Sequence, residues 1–280
     1  MNNLLRPLSA GELLDRTFSV YRRNFILFFA IAAVPQLLLF GGQLGIVLAS
    51  GRTVTGAIIN ASDGLLFSIL ALPVAIIFLL VSAASQGASI SAVSAMYMGR
   101  QTTIAESFAA MKGNIARTAG VWFVTGLLVG LGFLLFVVPG ILLALRWALV
   151  LPCTVLEETG VAESRARSTI LTEGCRGRIF LIVFLYLVLF YLLTVLAVMP
   201  LAIGLGIEAA RTHSQQLPIW YTASAYLVNF VVASLISPVL TIALTLQYFD
   251  GRIRKEAYDL QLMMSAAAGG DAAGNAVPSA

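Results

Sequence analysis

Charge is scarce in this sequence. Lys and Arg number 17 and Asp and Glu 13 among 280 residues, 11% in all, where a soluble domain carries about 25%. That excludes an ordinary water-soluble globule. Histidine is almost missing, His213 being the single one, and there are two cysteines, Cys153 and Cys175. Two cysteines so placed suggest free thiols rather than a disulfide framework. One histidine and two separated thiols do not make a metal site. No cofactor, metal ligand or catalytic residue is therefore expected, and the chain is read as non-enzymatic. Nucleic-acid binding needs a basic face on a folded soluble module, and the composition leaves no room for one.

What the sequence has in abundance is apolar length. Hydrophobic residues make up 59% of it, and the mean hydropathy is +0.94. Runs long enough to cross a bilayer, roughly 17–25 residues, recur at about 25–49, 65–90, 119–138, 140–157, 179–206 and 218–249. They are solidly apolar, without the alternation of a membrane barrel. Backbone groups in lipid must be satisfied within the segment, so helices are expected. The reading is an all-α integral membrane protein, with a six-span domain over 1–264 and a disordered tail over 265–280, whose small polar residues show no periodic face. The first run is longer than the core of a signal peptide and is expected to stay as a span.

The cations are distributed unevenly. Arg6, Arg16, Arg22 and Arg23 precede the first span, Arg100, Lys112 and Arg117 separate the second from the third, Arg165, Arg167, Arg176 and Arg178 separate the fourth from the fifth, and Arg252, Arg254 and Lys255 follow the sixth. The intervening connections hold only Arg52 and Arg211. By the positive-inside rule, both termini are cytoplasmic. Basic clusters at that surface set topology and suit anionic lipid headgroups. Arg22, Arg23, Arg176 and Arg178 are the candidate contacts.

Three cytoplasmic segments share a pattern: "SAGELLDRTFSVYRRNF", "TIAESFAAMKGNIARTA" and "GVAESRARSTILTEGCRGRIF". Glu12, Glu106 and Glu163 stand three residues after Ser9, Thr103 and Gly160. Ser-x-x-Glu and Thr-x-x-Glu are capping boxes, Leu8 and Leu13 fit the staple around the first, and glycine is a permitted cap. Each segment leads into two spans, and the second span of each pair carries one proline, Pro73, Pro152 or Pro238. A threefold internal repeat of interfacial helix and two spans is expected. In the first segment Leu14, Phe18, Tyr21 and Phe25 fall on one helical face, which can lie in lipid or against the bundle.

Arg146 is the one ionised side chain inside an apolar run. Pro139 and Gly140 are read as the tight outer turn, with Arg146 six residues, about 9 Å, below it. Two readings stand beside each other. Arg146 snorkels outward with Trp147 at the interface, or it makes a buried contact with Asp63, Glu208 or a headgroup phosphate. Gln43, Gln86, Asn229 and Gln247 are expected to bond between helices, and Ser82, Ser85 and Ser89 to let helices approach closely. Asn60-Ala61-Ser62 matches a glycosylation acceptor by a short motif. Glu157, Glu158, Glu163 and Glu173 face Arg165, Arg167, Arg176 and Arg178 in a mixed-charge surface.

The stretches "RPLSAGELLDRTFSVYRRNF", "VVPGILLALRWALVLPCTVLEETG", "ESRARSTILTEGCRGRIF" and "QYFDGRIRKEAYDLQLM" together resemble a bacterial family named for the membrane domain of glycerophosphoryl diester phosphodiesterase. The resemblance covers about residues 5–264 and implies a six-span protein of the bacterial inner membrane. The name comes from members fused to a catalytic barrel of about 250 residues, for which this chain has neither the length nor the histidines. No active site transfers. The sequence is thus read as a scaffold or accessory that contacts membrane lipids, a membrane-protein partner or further copies of itself. The alternatives are a transporter or lipid carrier with a path between helices near Arg146, and a lipid-modifying enzyme.

Overall fold

In the computed structural model, residues 9–50, 64–212 and 218–256 are described. Within them the chain is helical and contains no strand. The helices are α1 (Ala10–Arg23), α2 (Phe25–Ser50), α3 (Gly64–Tyr97), α4 (Ile104–Ala109), α5 (Ile115–Leu135), α6 (Val137–Arg146), α7 (Val150–Glu157), α8 (Val161–Thr172), α9 (Arg176–Thr212) and α10 (Ile219–Glu256). Six stretches are long and apolar enough to cross a membrane: Phe25–Leu48, Leu72–Tyr97, Ile115–Leu135, Val137–Glu157, Arg176–Glu208 and Ile219–Lys255. Asn60, Asp63, His213, Arg6, Leu8, Arg52 and the tail from 265 lie outside the described residues.

The caps form where the sequence puts them. Ser9 Oγ accepts the Glu12 amide at 3.3 Å, and the Glu12 carboxylate accepts the Ser9 amide at 2.7 Å. Thr103 and Glu106 repeat the exchange at 3.3 and 2.9 Å. At Gly160 only half survives: the Glu163 carboxylate accepts the Gly160 amide at 3.3 Å, and glycine has no side chain to answer. These boxes satisfy amides that a helix start leaves open. Gly113 and Gly174, at φ 91° and 80°, stop the chain after α4 and α8, a conformation glycine takes without a Cβ penalty.

Two expectations about helix ends are corrected. The turn between the third and fourth apolar runs is Phe136 alone, extended at φ −158° and ψ 150°. Pro139 sits in the first turn of α6, where an amide would have no helical partner anyway. Gly140 serves close packing instead: a Cβ there would meet the Phe133 ring at 2.4 Å, and one on Gly132 would meet the Gly140 Cα at 3.2 Å. The fourth run, moreover, is broken between Arg146 and Val150. Proline does not mark the second helix of each pair either, since Pro35 lies inside α2 and Pro200 inside α9.

Packing is concentrated at one end, the end where α1, α4 and α8 lie. There α3 is enclosed on all sides: from Ser82 to Val93 only Gln86 and Ser91 fall short of full burial. Its small residues permit the approach, and Ser85 donates to the Ile31 carbonyl at 2.7 Å. Leu13, Phe28, Val93, Ile242 and Leu246 meet in the principal core. Tyr97 stacks on Phe249 with centroids 4.3 Å apart, and the Arg16 guanidinium lies 5.2 Å from the Tyr97 ring. The first helix packs against the bundle: Leu13 and Thr17 are its fully buried residues, and Tyr21 donates to the Leu235 carbonyl at 2.6 Å. At the far end of α3, all six residues from Leu72 to Ile77 are exposed. Six residues exceed one 3.6-residue turn, so among the described residues no helix encloses α3 there as it is enclosed at the charged end.

Candidate functional site

Breaking a helix inside an apolar layer strands backbone groups, and each one left bare in hydrocarbon costs several kcal/mol. Here α8 supplies the missing partners. The Arg146 carbonyl accepts from Ser168 Oγ and Thr172 Oγ1, both at 3.1 Å, and the Leu149 amide donates to Ser168 Oγ at 3.2 Å. One turn on, Thr154 Oγ1 donates to Ser164 Oγ at 2.9 Å. Ser164, Ser168 and Thr172 recur every fourth residue, so they form one stripe on α8, and all three are fully buried. The break between α6 and α7 is thus a built feature, closed by a hydroxyl ladder. Sequence reasoning missed these three residues, although their spacing was readable.

Arg146 is not where the sequence reading put it. With the turn at Phe136, the arginine ends a ten-residue helix, and its Nε donates to Thr169 Oγ1 of α8 at 3.1 Å. Its side chain is exposed. Of the two carboxylates considered for it, Glu208 accepts from Trp220 Nε1 at 2.9 Å, and Asp63 is outside the described residues. Trp147 lies under the Arg165 guanidinium, 5.5 Å from the ring centroid.

The other charges of this end tie α7, α8, α9 and α10 together. Glu157 accepts from Arg167 Nε at 2.9 Å and from the Tyr248 hydroxyl at 2.7 Å, and Arg252 donates to the same hydroxyl at 3.1 Å. Asp250, with a side chain 1% exposed, pairs with Arg178 and, at 2.8 Å, with Arg254. Lys255 donates to the Ile170 carbonyl. Of the mixed-charge surface expected, the structure joins Glu157 to Arg167. Arg178 turns instead to Asp250, and Glu158 accepts from Asn114 at 3.3 Å. Arg22, Arg23 and Arg176 stand exposed. Asp250 was not singled out from sequence, although Asp250 and Arg254 sit at the four-residue spacing of a helical ion pair.

Beside the break lies a cavity of about 250 Å³ among α3, α5, α7, α9 and α10, lined in part by Gln86, Trp122, Pro152, Tyr186, Ser237 and Thr241. Thr241 Oγ1 donates to Gln86 Oε1 at 2.6 Å, an interhelical bond of the kind expected for the amides. Gln247 departs from that expectation, being fully buried with neither amide atom bonded to a described residue. Asn229 is exposed. A smaller, apolar cavity of about 150 Å³ lies under Leu14 and Phe18 of α1. Among the described residues no three His, Cys, Asp or Glu side chains converge on a point that would hold a metal. Cys153 is buried and Cys175 partly so, both as free thiols.

Comparison with protein families, with curated proteins and with solved structures finds no match for this chain.

Proposed function

We propose that the protein is a non-enzymatic scaffold or accessory of a bacterial inner membrane, with both termini in the cytoplasm and its charged end against the inner leaflet. The observation that carries this reading is the use made of the ionised groups. Glu157, Arg167, Arg178, Asp250 and Arg254 are spent on one another across four helices. An arrangement of that kind fixes helix positions and does not aim charge at a substrate. Arg22, Arg23 and Arg176 remain exposed at the same end and suit anionic headgroups. The three capped helices, each leading into two apolar runs of which the fourth in the chain is broken between α6 and α7, support a threefold repeat. The likeness to the six-span bacterial family fits the same picture.

The test is lipid dependence. In vesicles, anionic phospholipid is expected to raise the unfolding temperature over that in zwitterionic lipid, and the triple change Arg22→Gln, Arg23→Gln, Arg176→Gln is expected to remove the difference. An unfolding temperature indifferent to headgroup charge would sink this reading.

A second reading, a lipid carrier, has the cavity beside the broken helix in its favour. An acyl chain fits an apolar cavity with few polar groups. Transfer of a fluorescent phospholipid between leaflets, lost in Gln86→Leu with folding unchanged, would favour it over the scaffold.

A further inference from the structure

The length of α6 limits how far the α5–α6 hairpin can reach. The Arg146 carbonyl is bonded to Ser168 and Thr172. Leu171, between them, packs on Tyr248 and Phe249, and a Cβ on Gly251 would sit 3.5 Å from the Leu171 carbonyl. The base of α6 is therefore joined to the charged end of α10 through Ser168, Leu171 and Thr172 of α8. From there α6 has ten residues, which reach about 15 Å at 1.5 Å per residue. The stretch of α10 from Gly251 back to Ile219 is about 48 Å long by the same measure. The hydrocarbon core is about 30 Å thick. Measured from Arg146, the hairpin tip thus lies within about half a hydrocarbon thickness, whereas α10 is longer than the whole core.

Three further observations agree with this depth. From Gly126 to Leu145 every residue is apolar or glycine, and at the tip Leu134, Leu135 and Phe136 are 82%, 72% and 73% exposed. In water such a tip would be a liability. In hydrocarbon it is what the solvent requires. The one residue outside helix geometry, Phe136, has both backbone groups bonded, its amide to Gly132 at 3.1 Å and its carbonyl to the Gly140 amide at 3.3 Å, as lipid demands. Lastly, Leu72 to Ile77 of α3 are all exposed, so the described helices pack only loosely around α3 at that height.

We infer that α5 and α6 form a re-entrant hairpin, which enters one leaflet from the side of α8 and turns back at the bilayer midplane, its tip packed on the ends of acyl chains. The chain then crosses completely four times, at α2, α3, α9 and α10. The count stays even, so the termini stay on one side, and the absence of Lys and Arg between the third and fourth apolar runs follows because that connection never meets water.

Depth-resolved quenching tests it on the full chain in vesicles. With Trp122, Trp147 and Trp220 changed to Phe, Phe136→Trp supplies one fluorophore. Phospholipid brominated near the chain ends is expected to quench it more strongly than phospholipid brominated near the glycerol, and aqueous iodide is expected to have no effect. Strong iodide quenching would overturn the proposal. Should loss of the native tryptophans impair folding, a second variant reads the same point. In a Cys153→Ala, Cys175→Ser background, Leu134→Cys is expected to resist a membrane-impermeant maleimide from both sides until detergent denaturation. Arg211→Cys, at the far end of α9, marks that side by reacting readily. Labelling of Leu134→Cys from the side that labels Arg211→Cys would place the tip in far-side water and end the proposal.

Discussion

The two ends of this bundle are made of the same helices and obey different rules. At the charged end, α3 and α10 are enclosed by α1, α4, α7 and α8. Their contacts there are small residues, hydroxyls and buried ion pairs. At the other end, every residue of α3 from Leu72 to Ile77 is exposed, and exposed leucines and isoleucines face outward. In water the bare half would collapse or aggregate. In a membrane, acyl chains stand in for the missing helices, and association must come from packing and polar contacts because lipid offers no hydrophobic drive. The difference teaches that fold stability is lodged at one membrane surface, and substitutions should reveal this as a gradient along each long helix.

The largest effect is expected where a carboxylate is buried between two guanidiniums. Asp250→Asn removes the carboxylate charge that faces Arg178, whose side chain is 13% exposed, and removing one member of a buried pair costs about 3–5 kcal/mol. The exposed half of Arg254 tempers this, so about 3 kcal/mol is expected, measured as a fall in thermal unfolding temperature in detergent. A near-neutral Asp250→Asn would mean that the charged end is not the anchor. Next is the helix break. Ser168→Ala removes a donor to the Arg146 carbonyl and the acceptor of the Leu149 amide, and a buried group left unsatisfied costs about 1–3 kcal/mol. Hydrogen exchange at Leu149 should rise with it.

The caps come third. Ser9→Ala is expected to cost about 1 kcal/mol, read from the same unfolding curves. At the second cap the effect is on pH dependence. The Thr103 amide and hydroxyl bonds hold the Glu106 carboxyl below its ordinary value of 4.5, against an opposing desolvation and with a smaller contribution from Thr102. A carboxyl pKa lowered by folding adds stability that is present above the unfolded value and is lost as pH falls through the folded one. Titration of Glu106, followed by NMR, should move up towards 4.5 in Thr103→Ala. An unmoved midpoint would mean that the box does not form in solution.

Much of this was legible in the sequence, and the parts that were not share a cause. Composition and run length announced six apolar helices, because lipid constrains one segment at a time. Capping boxes are equally local, and Ser9, Thr103 and Glu163 fell where the pattern put them. What failed involved distance. Pro139 and Gly140 look like a turn by propensity, yet the chain reverses at Phe136 because Gly132 and Gly140 let two helices touch. Arg146 lies ten residues past the reversal rather than six, because its distance depends on where that turn falls. Ser164, Ser168 and Thr172 read as ordinary surface residues until a broken helix needs their hydroxyls. Asp250 acquires meaning only when Arg178, seventy-two positions away, arrives at its side.

The smallest effect tests the gradient most directly. Ile90 and Ile76 lie on the same helix, fourteen residues apart, at 1% and 49% exposure. Ile90→Ala empties packed space and is expected to cost at least about 2 kcal/mol. Ile76→Ala removes the same atoms from a surface that faces acyl chains in the folded bundle and in the separated helices alike. The transfer contribution then cancels, and a change within about 0.5 kcal/mol is expected. The pair should be compared in one lipid bilayer, by steric trapping or reversible unfolding, because detergent would change the reference for the bare half. Equal costs at the two positions would mean that the outer half of α3 is covered by something, a second copy or a partner helix, and that the loose end of the bundle is an interface.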